Sequence, residues 1–589
     1  MRRLTAKMRP GGARDLGERV RARAGVWLVI ASAAAIGVTL VTNAVGASVA
    51  SAPAVAYQGS PQHDGLESGA GVAPPLTARW KRSFDAPVSY PLIVDGIAYV
   101  SVEDTTAYGT TLYAIDLRTG SDVWGPVDLG GTYFWSGLAY DNGRLFALNY
   151  NGVLRAFEAK TGTAAWSTQL QGQWSFTATP TAAGGMLFAS GAGSGGTVYA
   201  VDETDGSVRW TASVENGDES SPAVTAGAVY VSYACNQAYA FDPATGALLW
   251  HHTSSCEGGG GKTVAVHAGR IYTRDWSGDL VLEGGTGNLV GAYAATAIPA
   301  FDGDLGFFLN GTVLSADDVA GTQRWRFTGD GQLVTAPIVV DGLVYIGSAR
   351  GNLYAVDEQT GLATWSTAVG TAISSPDEQN VHVLSGLAAG DGTLLVPAGS
   401  TLVAYSSVPT ITATASGTHG RAGWYTSPVT VHFTCGATAY PIATCSPDRT
   451  VRADGRGQIV TGTVTDTGGG QGSTSVTLNI DKTPPVGQVT SQDVAQQRVQ
   501  GSASDATSGV ASVSATFQSA RDGTMTTTNA TVSCTSDHKS CTWSAAPPPG
   551  VLGSGASPGP VWVGTVTVHT MDVSGNASTA APVTIAIVP

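Results

Sequence analysis

Carboxylates recur along the first two-thirds of this sequence at one fixed place in a short pattern. Asp116, Asp202, Asp242 and Asp357 each close a Tyr-Ala-x-Asp tetrapeptide. An aspartate can act as a general base or as a hard metal ligand. Each of these, however, runs at once into a glycine turn, at Thr119-Gly120, Asp205-Gly206, Thr245-Gly246 and Thr360-Gly361. There an Asp side chain is expected to cap the N–H groups of its own turn. Asp302 and Asp304 have the spacing of a metal pair but fall in the hairpin of a degenerate copy. His251-His252 could ligate a metal through imidazole nitrogen, yet they follow a repeat Trp and are expected on an outer strand. Trp135, Trp174 and Trp276 stand outside the repeat position and could line a ligand surface or simply pack. No compact set of acid, base and metal ligands emerges. The expectation is no catalytic, cofactor-binding or metal residue.

The elements that must carry these residues form a repeat. Leu112 to Asp116 leads to Trp124, Val198 to Asp202 to Trp210, Ala238 to Asp242 to Trp250, and Leu353 to Asp357 to Trp365. Leu154 to Trp166 and Leu314 to Trp325 are weaker copies, and Leu280 to Gly291 has lost its Trp. A period of about forty residues with four short strands is the signature of a propeller blade. Hairpin signals precede each copy, at Asp95-Gly96, Asn142-Gly143, Gly184-Gly185, Ala226-Gly227, Ala268-Gly269, Asp302-Gly303, Asp341-Gly342 and Asp391-Gly392. The fixed indoles, Trp124, Trp166, Trp210, Trp250, Trp325 and Trp365, are expected between neighbouring sheets. The last third strand, Leu402 to Tyr405, has no Trp strand after it, while Thr77 to Phe84, with Trp80, is an unpartnered fourth strand. The sequence therefore predicts an all-β fold with an eight-bladed β-propeller whose final blade borrows its outer strand from the N-terminal side.

These repeats resemble the pyrroloquinoline-quinone-like (PQQ-like) propeller family over residues 76–407. Tyr57-Gln58 with His63-Asp64-Gly65 is similar to openings common in exported members. The resemblance implies one of two lives. Some members are quinone-dependent alcohol or sugar dehydrogenases, which would hold PQQ and Ca²⁺ in the channel with an Asp base. Others are non-catalytic scaffolds on the cell envelope. Several of the enzymes carry a disulfide between adjacent cysteines under the quinone, and this sequence has no Cys-Cys pair.

Composition fits an exported protein. Net charge is −14, and residues 1–56 carry eight basic and two acidic side chains, so the rest stands at −14 − 6 = −20. An acidic body excludes nucleic acid and anionic membrane as partners, since both demand a basic face. Basic residues precede the apolar run Val26 to Val41, so residues 1–56 are expected to be a signal peptide or an uncleaved signal-anchor, with Ala54-Val55-Ala56 as a cleavage site. Membrane contact would come only through that segment if it is uncleaved. Six cysteines fall into three local pairs, Cys235 with Cys256, Cys435 with Cys445, and Cys534 with Cys541. An even count in an exported chain reads as disulfides, although connectivity is not fixed by sequence.

The expected order is thus residues 1–56 for targeting, 57–75 as a leader or linker, 76–407 as propeller, and two small β-sandwiches at 408–482 and 483–589. The sandwiches resemble bacterial immunoglobulin-like modules at Gly423-Trp424-Tyr425 with Pro428-Val429, at Asp505 with Ser508-Gly509-Val510, and at Asp572 with Ser574-Gly575-Asn576. The first departs from the pattern at Asp466-Thr467-Gly468-Gly469. Trp424, Tyr425, Trp543 and Trp562, if exposed, could stack on sugars. The function expected is an exported, non-catalytic binding or scaffold protein of the cell envelope or extracellular space. It would have an unidentified protein or glycan partner and no cofactor. A quinone dehydrogenase and a carbohydrate or cell-wall binder are the alternatives.

Overall fold

A short turn that carries a glycine folds the first strand of each blade back on itself. Asp95 and Gly96 both take positive φ, 51° and 76°, the geometry of the hairpin turn whose twist matches paired strands. The computed structural model describes residues 53–254, 261–438, 440–547 and 562–587. The expected targeting segment up to residue 52 lies outside the described residues. All described residues belong to one unit, Val49–Pro589.

Eight four-stranded antiparallel sheets follow one another along the chain. Their strands occupy 92–130, 136–169, 181–214, 223–252, 265–293, 300–327 and 338–368 for blades 1 to 7. Blade 8 takes three strands from 388–407, and its outer strand is Leu76–Ser83, antiparallel to Thr401–Ser407. The ring therefore closes as the strand count predicts. Inner strands such as Leu92–Val94 and Ile338–Val340 are only three residues long and buried on both faces. Outer strands such as Ala363–Ala368 alternate between exposed and half-buried. The core is thus a set of apolar layers between blades.

Beyond the ring lie two modules, each of two sheets packed face to face. Sheets built from 410–451 and 442–480 enclose Val429, Val431, Val460, Leu478 and Ile480. Sheets built from 486–545 and 510–587 enclose Phe517, Trp543, Val566 and Ile585. Cys435 is bonded to Cys445 in the first module and Cys534 to Cys541 in the second. Cys235 is also disulfide-bonded, while Cys256 lies outside the described residues.

Candidate functional site: the propeller channel and its two ends

The repeat residues hold the ring together. The Trp80 indole N–H donates to Leu117 O, and Trp124, Trp166, Trp210, Trp250 and Trp325 donate to the matching carbonyls of Ala159, Glu203, Pro243, Gly284 and Glu358, at 2.7–2.9 Å. Each bond runs from one blade to the next. Trp365 faces blade 8, which has no such turn, and packs edge-on against Tyr405. The repeat carboxylates do what their turns require. Asp116 Oδ1 accepts Thr119 N–H and hydroxyl at 2.7 Å each, and Asp242 and Asp357 do the same with Thr245 and Thr360.

The remaining candidates are dispersed. His251 stacks on Tyr239 with ring centroids 4.0 Å apart and bonds Gln237, and His252 meets Gly287 O, both from an outer strand. Asp302 ends an inner strand, and among the described residues neither it nor Asp304 joins a metal-sized cluster. Trp135 is fully buried core, whereas Trp174 and Trp276 are 75% and 78% exposed. Two expected sugar-stacking residues are corrected by the structure: Trp424 and Trp543 are buried, each 2% exposed. Trp543 belongs to the core of the second sandwich and its N–H donates to Ser502 O at 3.1 Å, whereas Trp424 lies outside the strands with the Arg456 guanidinium 5.8 Å from its ring centre. Tyr425 is partly buried against the same core as Val429. Of Trp562 only the backbone is described.

One end of the channel is closed by a segment whose sequence shows no strand period. Residues 53–72 cross the ring and bond to each of the eight blades. Ala54 pairs with Ile93, Val55 O accepts Tyr140 N–H, and Pro61 O and Gln62 O accept Val224 and Val266 N–H. Asp64 O and Gly65 O accept Phe301 and Val339 N–H at 2.8 Å, and Ala70 O accepts Gly392 N–H at 2.7 Å. For the third blade the contact is His63, whose Nε2 lies 3.1 Å from Thr181 Oγ1. Burial lowers the His63 pKa, against the carbonyls of Tyr57 and Pro222 that face its two ring nitrogens. Glu67, also buried, accepts Ala389 N–H and has its pKa pushed well up by burial.

Charged groups meet this cap inside the channel. Arg274 follows the second strand of blade 5, and Glu378 comes from the long connection into blade 8. They form an ion pair with 2% and 5% side-chain exposure. Glu378 also accepts Thr263 N–H at 2.7 Å. Burial raises the Tyr57 pKa well above its ordinary value, Glu378 adds to this, and Arg274 opposes it, so the cap's tyrosine shares the pair's field. Glu219, fully buried where the chain enters blade 4, has its pKa raised to about 7 by desolvation, against the bond from Thr177 N–H. At the rim Tyr108, Phe134 and His382 form a three-ring stack, with Glu103 Oε1 3.0 Å from His382 Nδ1.

A quinone with Ca²⁺ would need a flat open slot and carboxylates free to ligate. Here Tyr57 of the cap is buried, and Glu378 is already spent on Arg274 and Thr263. Among the described residues no three-ligand group lies in the propeller. These residues do not fit that pair.

Residues 109–294 and 239–431 match the PQQ_2 family model, described as outer membrane protein assembly factor BamB, over more than half of the chain. This chain belongs to the PQQ_2 family. The chain is 26% identical over 258 residues to the outer membrane protein assembly factor BamB of Moranella endobia (strain PCIT), 41% of this chain and 60% of that one. It is also 26% identical over 307 residues to an alcohol dehydrogenase (quinone), dehydrogenase subunit, of Gluconacetobacter polyoxogenes, 46% of this chain and 38% of that one. This PQQ_2 member thus spans no more than 60% of the length of these relatives. Among solved structures it is similar to BamB from Moraxella catarrhalis, at 17% identity and a TM-score of 0.44, covering 56% of this chain and 99% of that one.

Proposed function

We propose that this PQQ_2 propeller is an exported, non-catalytic platform that docks a protein partner at the cell envelope. The observation that carries the reading is the channel: a cap bonded to all eight blades closes one end, and the buried Arg274 and Glu378 are paired with each other. What is left for recognition is the opposite rim, where Tyr108, Trp174 and Trp276 are exposed. Large exposed aromatic rings are the side chains most enriched at protein contacts. The name of the Moranella relative, an assembly factor, supports the same class of role. The glycan reading loses support because two of its four aromatics are core. In domain terms we propose that the cap belongs to the propeller and that the two sandwiches, of immunoglobulin-like kinship, act as spacers.

A melting experiment separates platform from enzyme. A cofactor at a hundred-fold excess over Kd adds about 2.7 kcal/mol to a propeller that binds it. With Ca²⁺ already present as baseline, added pyrroloquinoline quinone is expected to leave the melting temperature unchanged and to support no alcohol- or sugar-dependent dye reduction. A shift together with turnover would establish the dehydrogenase instead.

A further inference from the structure

Three carboxylates from separate segments converge where the two sandwiches join. Asp481 follows the last strand of the first module, Gln471–Ile480. Asp505 follows Arg498–Ser504 of the second, and Asp572 ends its long strand Trp562–Asp572. They are 0%, 4% and 0% exposed, and one oxygen of each lies within 4.8 Å of one from each of the others. Main-chain donors fix their directions. Asp505 Oδ1 accepts Thr507 and Gly509 N–H, Asp572 Oδ1 accepts Gly575 and Asn576 N–H, and Asp481 accepts Thr483 and Ser508 N–H, all at 2.7–3.1 Å.

Those dipoles orient the carboxylates without neutralising them. Among the described residues no Lys, Arg or His pairs with any of the three, and neighbouring Lys482 turns to Asp454 at 3.0 Å. Asp505 is more than nine-tenths buried, yet its second oxygen, Oδ2, accepts no hydrogen bond from any described residue. Three buried carboxylates held together without an opposite charge cost several kcal/mol unless a cation meets them.

The other junction of this chain shows what a met carboxylate looks like. Asp466 ends the long strand Gly455–Asp466 as Asp572 ends its own. Each pairs its N–H with the carbonyl of the residue four on, Gly470 or Asn576, at 3.0 Å. Each also accepts that residue's N–H through Oδ1, at 2.7 and 2.8 Å. Asp466 receives the guanidinium of Arg79 from the propeller at 2.8 Å, with both side chains buried. At the Asp572 turn the fold supplies two more carboxylates in place of an arginine.

We propose that Asp481, Asp505 and Asp572 form a Ca²⁺ site that locks the second sandwich to the first. The donors are all hard oxygen, and irregular turns suit the 6–8 flexible ligands that Ca²⁺ takes better than the strict octahedron of Mg²⁺. Water or main-chain oxygens would complete the shell. Asn576 Nδ2 donates to Asp481 O at 2.9 Å and Arg421 N–H to Ser574 O at 2.7 Å, so the ion would sit among the contacts that already join the modules. The inference does not depend on the propeller's proposed role.

Equilibrium dialysis of the full chain, stripped with chelator and returned to Ca²⁺, tests it. One Ca²⁺ per chain is expected with a Kd of about 10⁻⁴–10⁻³ M or tighter, the range of extracellular modules. A melting transition that rises with Ca²⁺ and falls back with chelator should accompany it. Asp505→Asn keeps the Oδ1 acceptor but removes the charge and should weaken binding at least about tenfold. Asp466→Asn, at the other junction, should leave the stoichiometry at one. Wild-type protein without bound Ca²⁺ at about 10 mM, or with Mg²⁺ bound in its place, overturns the proposal. Undiminished binding by a folded Asp505→Asn protein overturns it too. If that variant does not fold, the anomalous signal of a wild-type crystal grown with Ca²⁺ decides, since an ion away from these carboxylates is equally fatal to it.

Discussion

A glycine beneath an indole is the smallest unit that joins one blade to the next. The Trp210 ring lies over Gly246 of the following blade, where a Cβ would stand 2.6 Å from the indole. Gly246 also takes φ +70°, so two separate costs meet at one residue. Gly321 holds the corresponding turn, one residue shorter, at φ +78°, but the preceding blade has lost its Trp and nothing lies within 4 Å of its Cβ direction. Gly321→Ala should therefore cost about 1–2 kcal/mol through φ alone. Gly246→Ala should cost a further ~1–3 kcal/mol through overpacking. Denaturation midpoints of the two variants measure the difference, and equal losses would mean the indole does not need the glycine. Sequence shows the Trp and the Gly as members of one repeat. It does not show that they serve each other across blades, because their contact spans nearly a full period. Trp543 was misjudged for a different reason. In Ser540–Ala545 the inward set is Cys541, Trp543 and Ala545, a period-two pattern the sequence carried and that reading single aromatics overlooks.

At the scale of elements, strand counting was enough to close the ring, since an unpaired third strand and an orphan fourth strand can satisfy each other only by pairing. The cap was not legible. Its backbone reaches the blades through turns, with Gln58, Gly59, His63 and Gly65 at positive φ, and no apolar alternation marks it. The channel pair was hidden as well, because Arg274 and Glu378 come from connections about a hundred residues apart. The cap has a consequence for processing. A chain beginning after Ala56 would lose both Ala54–Ile93 bonds and the Val55 bond to Tyr140. Each lost bond costs about 1 kcal/mol, and more where a buried N–H is left unmet. If the leader is cleaved, the mature N-terminus is accordingly expected at or before Ala54, and Edman sequencing of the protein from its native host reads it directly. A recombinant chain starting at Tyr57 should melt lower than one starting at Pro53. An exported protein found to begin at Tyr57 would contradict the expectation.

Across the whole molecule, the geometry turns on how the propeller carries its sandwiches. Arg79 stands on the borrowed strand Leu76–Ser83, so the residue that closes the ring also reaches the next module. Its guanidinium contacts both oxygens of Asp466, at 2.8 and 3.3 Å, donates to Ser407 O at 3.1 Å, and lies 5.4 Å from the centre of the Tyr440 ring. Tyr440 in turn bonds Thr393 of blade 8 at 3.2 Å. A planar fork that pairs, stacks and bonds main chain at once is a task lysine cannot copy. Arg79→Ala strands a buried carboxylate, a loss of about 3–5 kcal/mol when the partner charge stays behind. Because the loss falls at the joint, the propeller should keep its own melting transition while the first sandwich comes free of it. Small-angle scattering should then report a larger radius of gyration, and proteolysis should open near Val408 and Pro409. Arg79→Lys should fall between the two, keeping the charge and losing the fork. If Arg79→Ala leaves both scattering and cleavage as in the wild type, the contacts of Tyr440 and the chain through Pro409 hold the joint without the ion pair.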